Sequence, residues 1–291
     1  MKVVIETDYL QATIDSYGAE LQSLYSKEHK IEYLWHGDPE FWGRHAPVLF
    51  PVVGSLKDQQ YTHQGKTYKM GQHGFARDME FALVEKKPDE VTFVLKSDEE
   101  TKAIYPFDFQ LFISYQLGGD GITTAYRVVN ESDEEMYFSI GGHPAFNVPL
   151  EEGLTFEDYY LKTSPMKSRI QIPLVGPYID LDNRTLGQTN ASIAFTRDLF
   201  NNDALIYETI GLNSFSIFSD KSPHSITLSY NNLPFVGIWS PYGKEAPFIC
   251  IEPWSGIADT VDASGELSQK FGIQKLATNE EFLSKYAITV K

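Results

Sequence analysis

The chain of 291 residues weighs 33.0 kDa and is 42% hydrophobic and 14% aromatic, a folded composition rather than a disordered, fibrous or low-complexity one. Its 24 basic and 40 acidic side chains leave a net charge of −16, which repels phosphate backbones and anionic bilayers, so no nucleic acid and no membrane is expected as a partner. Cys250 is the single cysteine and cannot form an intrachain disulfide or a thiolate metal cluster; with charge already present in Met1–Glu6 and no apolar run near about 18–20 residues, a cytoplasmic location is expected.

Along the chain, Asp38-Pro39-Glu40-Phe41-Trp42 predicts one short helical turn, since proline is tolerated near its start. Phe81–Val84 and Val91–Leu95 flank Lys86-Lys87-Pro88-Asp89 and read as a hairpin. Phe109–Leu117 and Ile122–Asn130 form a clearer pair around Gly118-Gly119-Asp120-Gly121, a turn in which glycine reaches positive φ at little cost. Alternation at Thr124, Tyr126 and Val128 fits strands with one covered face. Glu134–Ile140 continues the series. Thr163–Asn190 is rich in Pro, Gly, Asp and Asn, with Ile170–Val175 its only apolar stretch, and is expected to be an ordered surface loop with a hairpin. Leu205–Glu208, Ser214–Phe218, Ser225–Tyr230 and Phe235–Ser240 are further strands, whereas Asn279–Tyr286 predicts a helix capped by Asn279. There is no βαβ rhythm and no phosphate-binding glycine loop. So many strands exceed one open sheet. The expected fold is all-β, a large sandwich forming one domain over residues 1–291.

Candidate chemistry lies where polar side chains interrupt apolar strands. His143 follows Gly141-Gly142 at a strand end and precedes Pro144; a chemical role and a satisfied turn histidine are equally good readings. His73, in Gly71-Gln72-His73-Gly74-Phe75-Ala76-Arg77-Asp78, is a loop histidine followed by an arginine, although Arg77 and Asp78 also suit an ordinary surface pair. Glu252 ends the apolar run Pro247–Ile251, where burial would raise its pKa and make it a better base, and Trp254 offers a ring face to a sugar or other apolar surface. Against that stands a solvent-facing edge glutamate beside a core tryptophan. Asp203 opens a strand after a polar turn, and Arg44 follows Trp42-Gly43; each is equally at home on a surface. The sequence holds no HExxH and no Gly-x-Ser-x-Gly, and Cys250 sits in an apolar strand as an inert thiol. Histidine and carboxylate without metal or nucleophile suit proton transfer, with no cofactor and no metal site expected.

Taken in order, Tyr17-Gly18-Ala19-Glu20-Leu21, Gly65-Lys66-Thr67-Tyr68, His73-Gly74-Phe75-Ala76-Arg77, Gly141-Gly142-His143-Pro144-Ala145-Phe146 and Glu252-Pro253-Trp254 resemble the aldose 1-epimerase (galactose mutarotase) family, specifically its LacX-like branch. The resemblance runs from Ile5 to Ile288. It implies a large antiparallel β-sandwich that interconverts the α and β anomers of a hexose such as galactose or glucose without a cofactor. By resemblance His143 is the general acid toward the ring oxygen, Glu252 the general base toward the C1 hydroxyl, His73 a substrate-binding histidine and Asp203 a carboxylate for sugar hydroxyls. An acid and a base on opposite sides of the ring would open the hemiacetal in concert. Where well-studied mutarotases carry an Asn-Arg-Ile segment, this chain has Pro47–Gly54, leaving Arg44 or Arg77 as the arginine toward substrate. The His-Gly-Phe-Ala-Arg form is also similar to hexose-6-phosphate mutarotases. A phosphorylated hexose and a non-catalytic sugar-binding role are therefore the alternatives.

Overall fold

A computed structural model describes residues 1–291. Nine strands form one antiparallel sheet, in the order Ile193–Ala194, Tyr160–Ser164, Leu212–Phe218, Ile226–Asn231, Glu281–Val290, Gly121–Asn130, Phe109–Gly118, Glu90–Lys96 and Ala82–Lys86. A second sheet runs Thr185–Gly187, Arg169–Ile172, Leu205–Glu208, Phe235–Trp239, Phe248–Trp254, Gly141–Gly142 and Val48–Leu49, with Ala145–Asn147 also paired to Phe248–Trp254. A four-stranded sheet, Lys2–Glu6 to Ile31–Glu32, closes one side. This is the expected antiparallel β-sandwich. The structure contains no helix long and apolar enough to cross a membrane.

Most predicted strands are present, and the hairpin around Gly118–Gly121 pairs Phe109 with Asn130 through to Gly118 with Gly121. Asp38–Trp42 makes its single turn, with Phe41 N–H and Trp42 N–H both donating to Asp38 C=O. The predicted helix at Asn279–Tyr286 is instead the strand Glu281–Val290, in the middle of the nine-stranded sheet. Phe282 and Tyr286 are four apart, a spacing that helix and strand both place on one face. Buried Ile288 and Val290 extend the pattern at period two, and pairing on both sides decides for strand. The one α-helix, Glu99–Ile104, is short and was not foreseen; Asp98 caps it, its side chain accepting from Thr101 N–H at 2.8 Å.

Parity along Phe248–Trp254 puts chemistry on one face. All seven residues are buried. Ile249 and Ile251 enter the main core between the sheets, while Phe248 and Cys250 join an outer cluster with Trp35 and Ala145. Trp254 joins a second outer cluster with Leu49, Val53, Ile206 and Ile257. Alternation therefore turns Glu252 outward between two apolar patches. His143, two residues before Ala145, has the same parity. The outer covering parts there and leaves a cleft.

Candidate active site

All seven predicted site residues, Arg44, His73, Arg77, His143, Asp203, Glu252 and Trp254, line one cleft of about 540 Å³. A larger hollow of about 950 Å³ lies against the nine-stranded sheet, but its lining includes no histidine and no carboxylate. Acid–base chemistry has its groups only in the first. Thr163–Asn190 is not only the expected surface loop, since Arg169–Ile172 and Thr185–Gly187 pair into the second sheet. Its expected hairpin forms between Leu174–Val175 and Tyr178–Ile179, and the Gly176-Pro177 turn is a cleft wall. Ile179 holds it there by exchanging backbone hydrogen bonds with Asp259 and Val261.

His143 Nε2 lies 3.1 Å from Glu252 Oε2, with both side chains almost fully enclosed. Two glycines make this possible by admitting aromatic rings. A Cβ on Gly141 would lie 2.5 Å from Trp254 Cδ1, and one on Gly142 would lie 2.8 Å from the Tyr286 hydroxyl oxygen. Beyond them, His143 N–H donates to Pro47 C=O at 3.1 Å, and Ile251 N–H donates to Pro144 C=O at 3.2 Å. The imidazole stacks on Trp42 with centroids 4.7 Å apart, meets Trp239 edge-on at 5.8 Å and His73 at 5.7 Å. Trp239 was not singled out from sequence, because an aromatic in an apolar strand reads as core.

Enclosure separates the pair's proton affinities. Burial, then the charge of Asp203, pushes the Glu252 carboxyl well above the usual carboxylate range. Burial also pulls His143 down to about 3, with Arg77 and Arg44 adding repulsion. Both shifts favour the uncharged forms, a protonated Glu252 beside a neutral His143. A direct contact of 3.1 Å leaves no room for a ring between them, so the expected placement on opposite sides of the sugar is corrected. The two groups stand side by side, a spacing suited to two oxygens carried by one carbon.

His73 has a defined tautomer. It adopts φ 67°, in the left-handed region, held by its N–H to Gly54 C=O at 2.9 Å and by Phe50 N–H donating to its C=O at 3.2 Å. Gly54 N–H then donates to His73 Nδ1 at 3.0 Å. Burial, followed by His143, Arg77 and Arg44, holds its pKa well below the ordinary value, so the ring is neutral and Nε2 carries the hydrogen. It presents a donor to the cleft. Gly54 is required here: a Cβ would fall 2.5 Å from Ala258 Cβ.

The remaining residues stand around the mouth. Asp203 is exposed and adopts φ 66°, a left-handed conformation that Asp tolerates. Arg44 pairs with Asp78 at 3.0 Å, while Arg77 donates to Gln72 C=O at 2.9 Å and burial, then Arg44, lowers its pKa to about 10. Trp254 is 5% exposed, so little of its ring reaches the cleft. His143, Cys250 and Glu252 place their donor atoms within 4.8 Å of one another, the only group of three able to hold a metal ion. Cys250 is wholly buried, does not line the cleft, and burial then Glu252 raises its thiol well above the usual range.

The antiparallel sandwich, with a buried histidine–glutamate pair opening into a polar and aromatic cleft, has a mutarotase-type fold. The aldose 1-epimerase family profile matches residues 1–273, and the chain belongs to that family, whose activity is of the isomerase, sugar-directed type. It is similar to the chromosomal protein LacX of Lactococcus lactis subsp. lactis, at 34% identity over 300 positions, covering 100% of this chain and 99% of that protein. A galactose mutarotase-related enzyme from Lactobacillus acidophilus superposes with a TM-score of 0.99 and 44% identity, covering 100% of this chain and 97% of that one. A galactose mutarotase-like protein from Lactobacillus casei gives a TM-score of 0.91 at 35% identity, with 100% of both chains covered.

Proposed function

We propose that this chain interconverts the α and β anomers of a free hexose such as galactose or glucose, using His143 and Glu252 as its acid–base pair. The observation that carries the reading is their enclosed 3.1 Å contact at the floor of the cleft. Transfer of the shared proton from Glu252 to His143 creates carboxylate and imidazolium with no change in net charge. The carboxylate takes the C1 hydroxyl proton, C1 becomes a carbonyl as its bond to the ring oxygen breaks, and the imidazolium protonates that oxygen. The pair is then neutral again, matching the uncharged open-chain aldehyde. Rotation about C1–C2 and reversal of the same transfers close the ring on the other carbonyl face. No cofactor enters this sequence of proton transfers.

Around this centre, His73 donates from Nε2 near the ring oxygen, Asp203 accepts from sugar hydroxyls, and Arg77 or Arg44 contacts the far side of the substrate. The competent pair carries one proton. It persists from about pH 3, below which His143 gains a second, up to the raised value of Glu252, above which the acid is lost. Acceleration of anomer exchange, followed by polarimetry or NMR exchange with glucose, galactose and their 6-phosphates, tests the assignment. Arg44 and Arg77 on one lip favour an anionic substituent as the second reading, and preferential turnover of a 6-phosphate would select it. Saturable sugar binding without faster exchange would leave a carbohydrate-binding protein.

A further inference from the structure

Trp254 is built into the sheet in a way that a sugar-stacking ring does not need. Its neighbour on one side is Gly141, directly paired with it; on the other side Gly237 pairs with Glu252. A Cβ on Gly141 would lie 2.5 Å from Cδ1 of the indole, and one on Gly237 2.4 Å from Cη2. The ring therefore lies flat across both neighbouring strands, in a slot that exists because neither carries a side chain. Trp254 and Glu252 are two residues apart on one strand, so both side chains leave the same face. Trp254 Nε1 is buried and makes no well-formed hydrogen bond, although it is near enough to Glu252 to hold that carboxyl down. A buried N–H without a well-formed bond is uncommon in a native structure and calls for a reason, of which a catalytic role is one.

We infer that Trp254 is a positioning residue whose indole N–H meets the Glu252 carboxylate each time that group gives up its proton. The inference rests on the reading that Glu252 exchanges a proton during turnover. In the neutral pair the carboxyl is engaged with His143 at 3.1 Å and needs no further donor, so the indole N–H stands beside it without a well-formed bond. When the proton crosses to His143, the imidazolium Nε2–H still faces one oxygen of the buried anion, and a second donor would hold the charge better. Asp203 across the cleft offers none, and the Cys250 thiol on the same strand face only a weak S–H. Arg77 and Arg44 are the cations lining the same cleft, but their influence falls on His143 and His73 rather than on Glu252. Trp254 is the neighbour that holds the Glu252 carboxyl down against burial and Asp203. Charge-assisted bonds of this kind are about twice as strong as neutral ones, which favours the reactive ion-pair form over the resting one.

The test is Trp254→Phe, which removes the N–H and keeps an aromatic ring, read as a pH profile of kcat and KM for anomer exchange. A plateau about tenfold lower, an alkaline limb about one pH unit higher and an unchanged KM are expected, because one unit of pKa corresponds to a tenfold change in equilibrium. A raised KM with the limb in place would make Trp254 a sugar platform and overturn the inference. Should the variant not fold, 15N-labelled wild-type protein decides: it has 4 tryptophans, and the indole signal of Trp254 must titrate with the alkaline limb. That titration must vanish in Glu252→Gln; a signal flat with pH in the wild type overturns the inference. Undiminished turnover in Glu252→Gln would instead overturn the reading on which the inference rests.

Discussion

Of the three glutamate–histidine pairs in this molecule, that of His63 has a half-exposed carboxylate, Glu134. The other two carboxylates, Glu20 and Glu252, are largely enclosed, and only one of these is suited to catalysis. Glu20 sits 3.6 Å from His45, and its carboxylate also accepts the backbone N–H groups of His45 and Ala46 at 2.9 and 3.1 Å. Burial pushes Glu20 up, but the His45 side chain and those backbone donors outweigh it, and its pKa falls below the ordinary value. Glu252 has a closer histidine and no backbone donor, faces Asp203, and its pKa rises. Proximity to histidine is thus not what separates them. Fixed backbone donors lock one carboxylate in its charged form, where it pins the loop carrying Arg44; their absence leaves the other free to change state.

The largest contrast is in turnover. Glu252→Gln and His143→Asn are each expected to slow anomer exchange by about 10²–10⁴-fold while circular dichroism stays native. Glu20→Gln should keep kcat within about threefold, and near-normal rates in either variant of the first pair would erase the distinction. Stability should reverse the order. Glu20→Gln removes a charged acceptor from two buried N–H groups and should cost about 1–3 kcal/mol in denaturant unfolding, whereas Glu252→Gln should cost little.

Melting temperature against pH should separate the pairs by sign. Glu252 has a raised folded pKa, so its contribution is complete below the unfolded carboxylate value and is lost as pH rises through the folded one. Glu20 has a lowered folded pKa, so its contribution is present above the unfolded value and is lost as pH falls through the folded one. Each Gln variant should flatten its own limb of the stability curve; identical slopes would contradict the assignment. The smallest effect is that of Asp203→Asn. Removing that charge lowers the Glu252 pKa, and the alkaline limb of the rate profile should move down by less than about one pH unit.

Much of this was legible in the order of residues. Alternation in Phe109–Asn130 and the glycine turn between specified a hairpin, and Glu252 was conspicuous as a carboxylate closing an apolar run. Local pattern failed at Glu281–Val290, where Phe282 and Tyr286 fit both periods and pairing partners on either side made the choice. Gly141-Gly142 advertised close approach but not of what: the rings they admit, Trp254 and Tyr286, come from more than 100 positions away. Gly54 carried no sign that its N–H would set the His73 tautomer.

What the amino-acid order determined by itself was the period of most strands, Glu281–Val290 excepted, and with it the shared face of Cys250, Glu252 and Trp254 and the family to which the chain belongs. Which of two carboxylates beside a histidine stays charged was decided by the tertiary structure alone. The reason is that a pKa depends on burial, on neighbouring charge and on donors within hydrogen-bonding reach, and the fold gathers all three from distant parts of the chain.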